Sequence, residues 1–494
     1  MINNEVKQSQ RSSILKNASF LFISHIIGRL LAFVLTVILP RYLKGGFDDL
    51  GKYFFALWFT NLLSSITEFG LHTPLIRDVA SDKSKTTLMI SNAFVIRIVF
   101  CVVTFLFYAV IASWRYPGDV GKLIYIIGLS EIINAIAQLF RCLFRAYEDM
   151  GYEALGVIVE RFVVFLVGIS AVLLGYSIIA FGLIVLIASI INLLLTSIIM
   201  VLKFSRIDLK MFNIHFAIDL LRKSLPYALG GMLYMAYFRV DGILLKNILG
   251  DKGDLAMGWY GTGYSFVNAL TIIPGAFMGA VFPVLSRANE SLSKLYTKSM
   301  KLMLIIGFPI AIGVTFMADQ IVLILYPLSR FSLTDQNALS IILKVLIWSG
   351  LLLFLNTVII TLYRATDSRK AFSTITAISL FVNILSNIIL IPRYSYLGAS
   401  ISMVISEFVY IILGSIHIQR SICKINEFKF LPKVILASFV LVIMLFAFRR
   451  FVLVNQYVQI ILTVFTGFIL YSAIIFSTRA IDSEDIAIIK QYQK

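Results

Sequence analysis

Apolar stretches long enough to cross a lipid bilayer recur along the whole chain. A helix needs roughly 20 mainly apolar residues to span the hydrocarbon core, and about fourteen segments reach that length. Examples are Ala18 to Leu39, Val157 to Leu174, Ile178 to Leu202 and Ile341 to Tyr363. The connections between the stretches are too short to fold as soluble domains. The pattern predicts an all-α polytopic membrane protein with about fourteen transmembrane helices.

The composition supports this class. Of the 494 residues, 59% are hydrophobic and only 14% are charged, whereas soluble proteins carry about 25% charged residues. The net charge of +17 does not indicate a nucleic-acid partner, because the cytoplasmic loops of membrane proteins collect Lys and Arg. The three cysteines form no pairing pattern, so neither a disulfide framework nor a thiolate metal site is predicted.

Basic residues concentrate in alternate connections. They precede the first apolar stretch and return after every second one, whereas the connection from Gly175 to Ser177 carries no charge. The excess of Lys and Arg on the cytoplasmic side of membrane proteins therefore predicts that both termini are cytoplasmic. The positions expected in the cytoplasm include Lys83, Lys210 and Lys294, and those expected outside include Ser177, Asp251 and Asn455.

The chain contains a weak internal repeat. Leu143-Phe-Arg145-Ala-Tyr closes the fourth stretch, and Leu362-Tyr-Arg364-Ala-Thr closes the tenth. Gly51-Lys-Tyr-Phe opens the second stretch, and Gly258-Trp-Tyr-Gly opens the eighth. An offset of an even number of spans keeps both copies in one orientation. Such a parallel repeat predicts two pseudo-symmetric six-helix lobes plus two C-terminal helices, with the substrate site between the lobes.

The repeat and the loop charges together predict the organisation of the chain. The predicted segments are a cytoplasmic N-terminal tail (1–16), an N-lobe (17–203), a cytoplasmic linker (204–219), a C-lobe (220–420), the last two helices (421–478) and a cytoplasmic C-terminal tail (479–494).

Two arginines are the strongest candidates for a binding site. Charges at mid-bilayer usually face a cavity or a partner, and Arg29 and Arg239 fall in the first helix of each lobe. The forked guanidinium suits phosphate oxygens, so we expect both arginines to bind an anion in the inter-lobe cleft; structural ion pairs are the alternative. His25 shares a helix face with Arg29 and joins the cleft candidates, unless it is a satisfied core histidine. Arg97 is the fourth candidate, and its alternative is a permanent pair with Glu68.

Coupling and bending are assigned to five further residues. A carboxylate that holds an arginine in the empty site, and releases it when phosphate or a proton arrives, shifts the equilibrium between two states. Glu68 and Asp241 are the candidates for this coupling role. Pro274, Pro283 and Pro309 are the predicted hinges, because proline removes a helical hydrogen bond and kinks the helix. Ordinary use of proline in transmembrane helices is the alternative.

Other embedded charges have plainer interpretations. Arg161, Asp319 and Lys344 are expected near the membrane interface, where long side chains reach the headgroups. Glu131 and Glu407 are equally compatible with a cavity and with buried hydroxyl or amide partners. No Gly-Lys-Ser/Thr phosphate loop and no His-Glu-x-x-His run occurs, so no enzymatic activity, cofactor or metal site is predicted.

Several segments, in a fixed order, resemble those of one known family. They are Glu68-Phe-Gly-Leu followed by Pro74-Leu-Ile-Arg77-Asp-Val-Ala, then Arg145-Ala-Tyr-Glu-Asp-Met, Asp241-Gly-Ile-Leu-Leu, Phe282-Pro-Val-Leu-Ser and Tyr396-Leu-Gly-Ala-Ser. Together they resemble the polysaccharide-exporter branch of the multidrug/oligosaccharidyl-lipid/polysaccharide superfamily, specifically its Wzx-like flippases. The resemblance runs from about Asn17 to Glu407, and the last two stretches are generic.

The resemblance implies a function and a location. Such a flippase moves a polyprenyl-diphosphate-linked oligosaccharide to the outer leaflet of the bacterial inner membrane, for O-antigen or capsular polysaccharide synthesis. It works by alternating access between the lobes, with H+ or Na+ as coupling ions left open, and contacts the polysaccharide polymerase machinery. The alternatives are a peptidoglycan-precursor (lipid II) flippase, a drug or cation antiporter of the same superfamily, and a membrane polysaccharide polymerase. The sequence does not identify the sugar unit.

Overall fold

The computed structural model describes residues 2–286, 292–424, 430–451, 456–478 and 480, with side chains described from residue 20 onward. Within these ranges the chain folds into helices, and no β-strand is present. The α-helices are α1 (Ile2–Tyr42), α2 (Phe47–Glu68), α3 (His72–Ser81), α4 (Thr86–Arg115), α5 (Asp119–Ala146), α6 (Met150–Leu173), α7 (Ile178–Lys203), α8 (Ile214–Leu249), α9 (Gly253–Leu270), α10 (Ile272–Leu285), α11 (Leu292–Leu325), α12 (Leu333–Ala365), α13 (Arg369–Tyr394), α14 (Tyr396–Ser421), α15 (Leu431–Phe451) and α16 (Gln456–Ser477).

The predicted fold class is confirmed. Twelve helical stretches in the described residues are long and apolar enough to cross a membrane, and one of them, Ile214–Phe282, covers 69 residues and three helices. Two pairs of helices, α2–α3 and α9–α10, follow each other with only a short break. Counting each pair as one segment turns the sixteen helices into fourteen segments, in the predicted order. The protein is an all-α polytopic membrane protein.

The break between α2 and α3 has a local cause. Phe69 and Gly70 adopt positive φ angles of 37° and 64°, a conformation that cannot continue a right-handed helix. The backbone N–H of Phe69 donates to the Ser65 carbonyl and closes α2. The position corresponds to the end of the second stretch of the sequence, so one predicted span is a broken helix.

Residue contacts divide the chain into two compact units, Met1–Gly258 and Trp259–Lys494. The division falls inside α9, whereas the sequence places the change of lobe in the linker 204–219. The predicted lobe boundaries therefore remain a prediction. α1 begins at Ile2, so the predicted N-terminal tail is part of a 41-residue helix. Asn455, and the predicted C-terminal tail except Ala480, lie outside the described residues.

Several predicted cytoplasmic connections of the first unit meet at one end. The buried side chain of Asn92, near the start of α4, donates to the Met211 carbonyl at 3.0 Å and accepts from the Asn213 N–H at 2.9 Å. The Ser91 hydroxyl accepts from the Asp208 N–H at 2.9 Å. These bonds tie the linker after α7 to the start of α4. The turns that carry Lys83 and Lys210 therefore lie at the same end of the unit.

Predicted outer connections also pair with one another. The Tyr116 hydroxyl, after α4, donates to Asn247 Oδ1 near the end of α8 at 2.7 Å. Lys246 Nζ forms an ion pair with Asp254 Oδ2 at 2.8 Å across the connection from α8 to α9. The alternation of connections predicted from charge is thus consistent with the contacts of the first unit.

Two glycines bring α2 and α9 into backbone contact. A Cβ atom built on Gly51 would lie 1.7 Å from the Asp254 carbonyl oxygen, and one built on Gly258 would lie 1.9 Å from the Phe47 carbonyl oxygen. Any other residue at either position collides with backbone. Gly51 and Gly258 are the two glycines that the sequence repeat pairs, so equivalent positions of the repeat contact each other.

The second unit is organised around α11 and α12. A cluster that includes Val434 and Leu441 of α15 and Tyr471 of α16 packs with Ile305 and Ile312 of α11. These residues are at most 8% exposed, so apolar side chains fix the last two helices to α11. The two predicted C-terminal helices therefore pack against α11 within this unit.

Orientation is testable by labelling single cysteines in intact cells. In a background without the three native cysteines, Lys83→Cys and Lys210→Cys should react with an impermeant maleimide only after permeabilisation. Ser177→Cys and Asp251→Cys should react without it, because the positive-inside rule places them outside. Labelling at position 83 or 210 in unpermeabilised cells would refute the orientation.

Candidate functional site

α1 presents a polar face with one arginine near the middle of its membrane span. His25, Gly28 and Arg29 are spaced three and four residues apart, so they share one face of the helix. The span runs from Phe20 to Tyr42, which puts Arg29 near its middle. The side chains of His25 and Arg29 are exposed. Two of the predicted site residues therefore lie together and accessible on one helix.

The surroundings of this face come mainly from α5 and α6. α1 packs along α6, and the charges that act on the His25 ring come from Glu153, Arg29, Arg145 and Arg161. Arg145 and Glu153 are engaged with each other, at 2.7 and 2.6 Å between nitrogen and oxygen atoms. Glu153 is 3% exposed, so this bidentate pair is a structural clamp between α5 and α6. The remaining cations near His25 are Arg29 and Arg161.

Arg239 has a different neighbour. Its guanidinium carbon lies 5.3 Å from the centre of the Trp58 ring on α2, a cation–π arrangement. Trp58 is 3% exposed and Arg239 is partly buried. Gly242 permits this close packing, because a Cβ there would lie 2.5 Å from Trp58. Arg239 thus packs on α2, whereas Arg29 lies on the helix that packs on α6, and their common role at a cleft stays a prediction.

Arg97 is fully buried and holds the broken helix. Its Nη1 donates to the Thr67 carbonyl at 2.5 Å, and its Nη2 lies 3.3 Å from His72 Nε2. Thr67 is in the last turn of α2, where helical carbonyls lack intrahelical partners. Among the described residues no carboxylate lies within 4.0 Å of Arg97, and Glu68 acts on it only over a longer distance. Arg97 therefore stabilises the α2–α3 break, and its predicted cleft role remains untested.

The two coupling candidates lie in different settings. Glu68 is the last residue of α2, half-buried, and within the electrostatic reach of Arg97 and Arg141. Asp241 is 1% exposed within α8. Arg239 forms no ion pair with Asp241, which follows from helix geometry because residues two apart point to different sides. Their coupling role stays a prediction.

The predicted hinge prolines occupy three different contexts. α9 ends at Leu270 and α10 begins at Ile272, so Pro274 lies in the first turn of a new helix, where a missing N–H breaks no helical bond. Pro309 lies inside α11, which continues past it. Pro283 falls near the end of α10, and its side chain lies outside the described part. The hinge role of the three prolines is not tested by these positions.

A carboxyl–amide network in the first unit was not identified from the sequence. Glu160 on α6 accepts hydrogen bonds from Asn134 on α5 at 3.0 Å and from Asn192 on α7 at 2.7 Å. Asn192 is fully buried, and Thr196 donates to its Oδ1 at 3.2 Å. The available signal was a polar side chain on each of three successive spans. It was missed because charged residues in the spans were considered and neutral amides were not.

The second unit contains a comparable buried network. Glu407 on α14 is fully buried and accepts a hydrogen bond from Asn356 on α12. Asn383 on α13 donates to the Ser406 hydroxyl at 3.1 Å, and Asn387 donates to Asn383 Oδ1 at 2.8 Å. Glu407 therefore has a buried amide partner, one of the two interpretations left open by the sequence. In the part of the chain that is described, no group of three or more His, Cys, Asp or Glu residues is placed to hold a metal ion.

One titratable group in a connection, outside the spans, is strongly perturbed. Hydrogen bonds from Ser84 and Lys85 lower the pKa of Asp82 to about 2. Asp82 accepts from the Ser84 N–H at 3.1 Å and caps the turn between α3 and α4. The carboxylate is therefore ionised at all physiological pH values and fixes the turn that carries Lys83.

Two family models match the chain. The model of a polysaccharide biosynthesis protein family matches residues 14–289, and that of the lipid II flippase MurJ matches residues 162–472. The first covers α1 to α10 and thus every cationic residue of the candidate site. The two matches overlap and together cover residues 14–472. Both families agree with the resemblance found in the sequence motifs.

Individual proteins show the same similarity over nearly full length. A probable low-salt glycan biosynthesis flippase, Agl15 of Haloferax volcanii, is 21% identical over 468 residues, which are 92% of this chain and 94% of that protein. The capsular polysaccharide biosynthesis protein CapF of Staphylococcus aureus is 23% identical over 425 residues, 81% of this chain and 98% of that protein. The solved structure of lipid II flippase MurJ, in an inward closed conformation, aligns with a TM-score of 0.78 at 18% identity, over 93% of this chain and 98% of that one.

Proposed function

Because the chain belongs to the polysaccharide biosynthesis protein family, we propose that it moves a polyprenyl-diphosphate-linked oligosaccharide from the cytoplasmic to the outer leaflet. The coarse activity is that of a flippase of the multidrug/oligosaccharidyl-lipid/polysaccharide superfamily. The finer assignment, to O-antigen or capsular polysaccharide synthesis, is the proposal. The observation that carries it is the exposed polar face of His25 and Arg29, which places an arginine in the middle of the α1 span.

The charge of the proposed cargo explains why such a face is useful. An ionised diphosphate in hydrocarbon costs tens of kcal/mol by solvation alone. Arginines in a polar cleft replace the lost hydration with charge-assisted hydrogen bonds. An inside-negative membrane potential also favours outward movement of an anion, by about 2.3 kcal/mol per charge per 100 mV. A cation transporter would instead need carboxylates on the accessible face.

The cellular setting belongs to the same proposal. The protein is a multi-pass membrane protein, and we place it in the bacterial inner membrane with both termini cytoplasmic, in keeping with the basic connections. The lobes alternate access to the two leaflets, and the polysaccharide polymerase machinery receives the flipped substrate. The MurJ family and the relative Agl15 are described as flippases, which favours a transporter over the polymerase alternative.

Lipid II is the second candidate cargo. The match to the lipid II flippase model covers residues 162–472, and the solved structure of such a flippase shares the fold. Lipid II also carries its sugars on a polyprenyl diphosphate, so the same arginines suit it. The two cargoes differ in the groups that the diphosphate carries, since lipid II bears a peptide on its sugars, and rescue of cells depleted of their lipid II flippase separates them.

The proposal is tested by following the lipid-linked oligosaccharide in cells. Deletion of the gene should abolish surface polysaccharide and leave the lipid-linked oligosaccharide on the cytoplasmic leaflet, where an external glycosidase cannot reach it. Expression of the wild-type chain should restore both. Unchanged surface polysaccharide after deletion, or accumulation of the precursor on the outer leaflet, would contradict the proposed step.

The coupling role of Glu68 and Asp241 gives a separate prediction. Glu68→Gln and Asp241→Asn remove charge with little change in shape, so insertion should be intact. We expect the pH or Na+ dependence of flipping in proteoliposomes to change, because a neutral side chain no longer exchanges an arginine for a proton or an ion. Glu148→Gln, an exposed substitution outside the helices, is the control. Wild-type rates and ion dependence in both variants would assign these carboxylates to packing.

A further inference from the structure

We propose that Arg161 on α6 is an anion-binding residue that acts with Arg29 on the diphosphate of the cargo. The inference deepens the proposed function and rests on it. The sequence places Arg161 near the membrane interface, where it would only reach toward headgroups. The position of the side chain in the fold indicates otherwise.

The depth of Arg161 follows from where its helix begins. α6 runs from Met150 to Leu173, so Arg161 lies eleven residues after its first residue. At 1.5 Å per residue this is about 16 Å along the helix axis, roughly half of a hydrocarbon core of about 30 Å. The sequence interpretation started the span at Leu155 and therefore placed Arg161 nearer the interface. An arginine at this depth points to a functional site by default.

Arg161 packs against the polar face of α1 that carries His25 and Arg29. A Cβ atom built on Gly28 would lie 3.2 Å from Arg161 Cγ, 3.6 Å from its Cδ and 3.7 Å from its Nε. The aliphatic stem of Arg161 thus crosses α1 at the one residue of this face that has no side chain. Because His25 and Arg29 flank Gly28 on the same face, the guanidinium is brought beside both. Its charge accordingly acts on His25.

The side chain points toward the interior of the helix group. Its charge acts on Tyr53 of α2 and on Glu131 of α5 as well as on His25. The lipid-exposed positions of α6 lie on other sides of the helix, as at Leu166 and Val167, which are 57% and 49% exposed. Arg161 is nevertheless exposed. Its guanidinium therefore faces titratable groups of α1, α2 and α5.

The neighbouring charges do not account for this guanidinium. Arg145 is clamped by Glu153, and Glu160 is held by two asparagine amides. Glu131 interacts with Arg161 without forming an ion pair. In the described part of the chain no carboxylate oxygen lies within 4.0 Å of Arg161. The arrangement is that of an anion subsite formed by two helices.

Binding of undecaprenyl diphosphate to the full-length protein in detergent tests the proposal, with uncharged undecaprenol as the reference lipid. Arg161→Gln should weaken binding of the diphosphate about tenfold or more, as expected for a lost charge-assisted hydrogen bond, and leave undecaprenol unchanged. Arg161→Lys should give an intermediate affinity, since it keeps the charge without the fork. Arg115→Gln, an exposed arginine in the last turn of α4, should bind as the wild type.

A substitution at Gly28 gives a second, independent test of the proposal. Gly28→Val should push the Arg161 stem off α1 and weaken diphosphate binding to a similar extent. In the Gly28→Val, Arg161→Gln double variant the second substitution should add little, because both act on the same contact. If Arg161→Gln does not fold, Arg161→Lys and Gly28→Val decide the question. Wild-type affinity in both would overturn the proposal.

The outcomes separate this inference from the proposed function. If the wild type binds undecaprenyl diphosphate no more tightly than undecaprenol, the proposed cargo itself is contradicted. A different result is that the wild type clearly prefers undecaprenyl diphosphate, with Arg29→Gln lowering that preference and Arg161→Gln leaving it unchanged. This result would agree with the proposed flippase and overturn the role of Arg161. A loss with Arg161→Gln that extends equally to undecaprenol would show a structural role and also overturn it.

Discussion

The double variant Arg29→Ala, Arg239→Ala is expected to abolish surface polysaccharide while its amount in the membrane equals that of the wild type. Each arginine is expected to contribute charge-assisted hydrogen bonds to the cargo, worth about 1.5–3 kcal/mol apiece. Loss of both therefore weakens cargo binding by roughly two to four orders of magnitude. Insertion should survive, because Arg29 is exposed and Arg239 packs on Trp58 mainly through a cation–π contact.

The matched variants for this experiment are lysine substitutions at the same positions. Arg29→Lys and Arg239→Lys keep the charge and lose the bidentate fork, so polysaccharide should return in part. Arg115→Ala should behave as the wild type, since that residue lies at the far end of α4. Normal surface polysaccharide in the Arg29→Ala, Arg239→Ala variant would show that the two arginines are dispensable.

Alanine at Gly51 or Gly258 is expected to disturb the fold and transport together. The new Cβ would lie 1.7 or 1.9 Å from a backbone carbonyl oxygen, so α2 and α9 must separate to accept it. Overpacking of this kind lowers the free energy of unfolding by about 1–3 kcal/mol. The backbone atoms that the new Cβ meets cannot move aside as a flexible side chain can. We expect a lower melting temperature in detergent and loss of flipping for each variant.

Gly231→Ala is the matched control for this prediction. Gly231 lies in α8, and a Cβ there meets nothing within 4 Å, so its melting temperature should be unchanged or raised, because alanine favours a helix over glycine. If Gly51→Ala keeps the wild-type melting temperature and activity, the close crossing of α2 and α9 is not required.

The length of the apolar stretches was sufficient to predict the helices, because each span must satisfy its own backbone hydrogen bonds in lipid. The break at Phe69 and Gly70 was not predicted. Its positive φ angles have no hydrophobic signature, and the apolar residues on both sides read as one stretch. Likewise, the sequence marked Pro274 as a kink within one helix, whereas the helix ends before it and a new one begins at Ile272.

The candidate site was predicted less completely than the fold. His25 and Arg29 stood out because charge in an apolar run is rare, and helix geometry alone puts them on one face. Arg161 was expected nearer the interface because the sequence started its span at Leu155, five residues after the first residue of α6. The contact with Gly28 depends on how α1 packs on α6, and no local pattern encodes such packing between distant segments.

Flipping in proteoliposomes tests the central claim most directly. The purified protein is reconstituted with undecaprenyl-diphosphate-linked oligosaccharide that carries a fluorescent sugar label, and a membrane-impermeant quencher reports the exposed fraction. We predict that the protein transfers labelled lipid between leaflets well above the rate of empty liposomes, and that the Arg29→Ala, Arg239→Ala variant does not. A wild-type protein that transfers no more labelled lipid than empty liposomes, with H+ or Na+ gradients applied, would contradict the account.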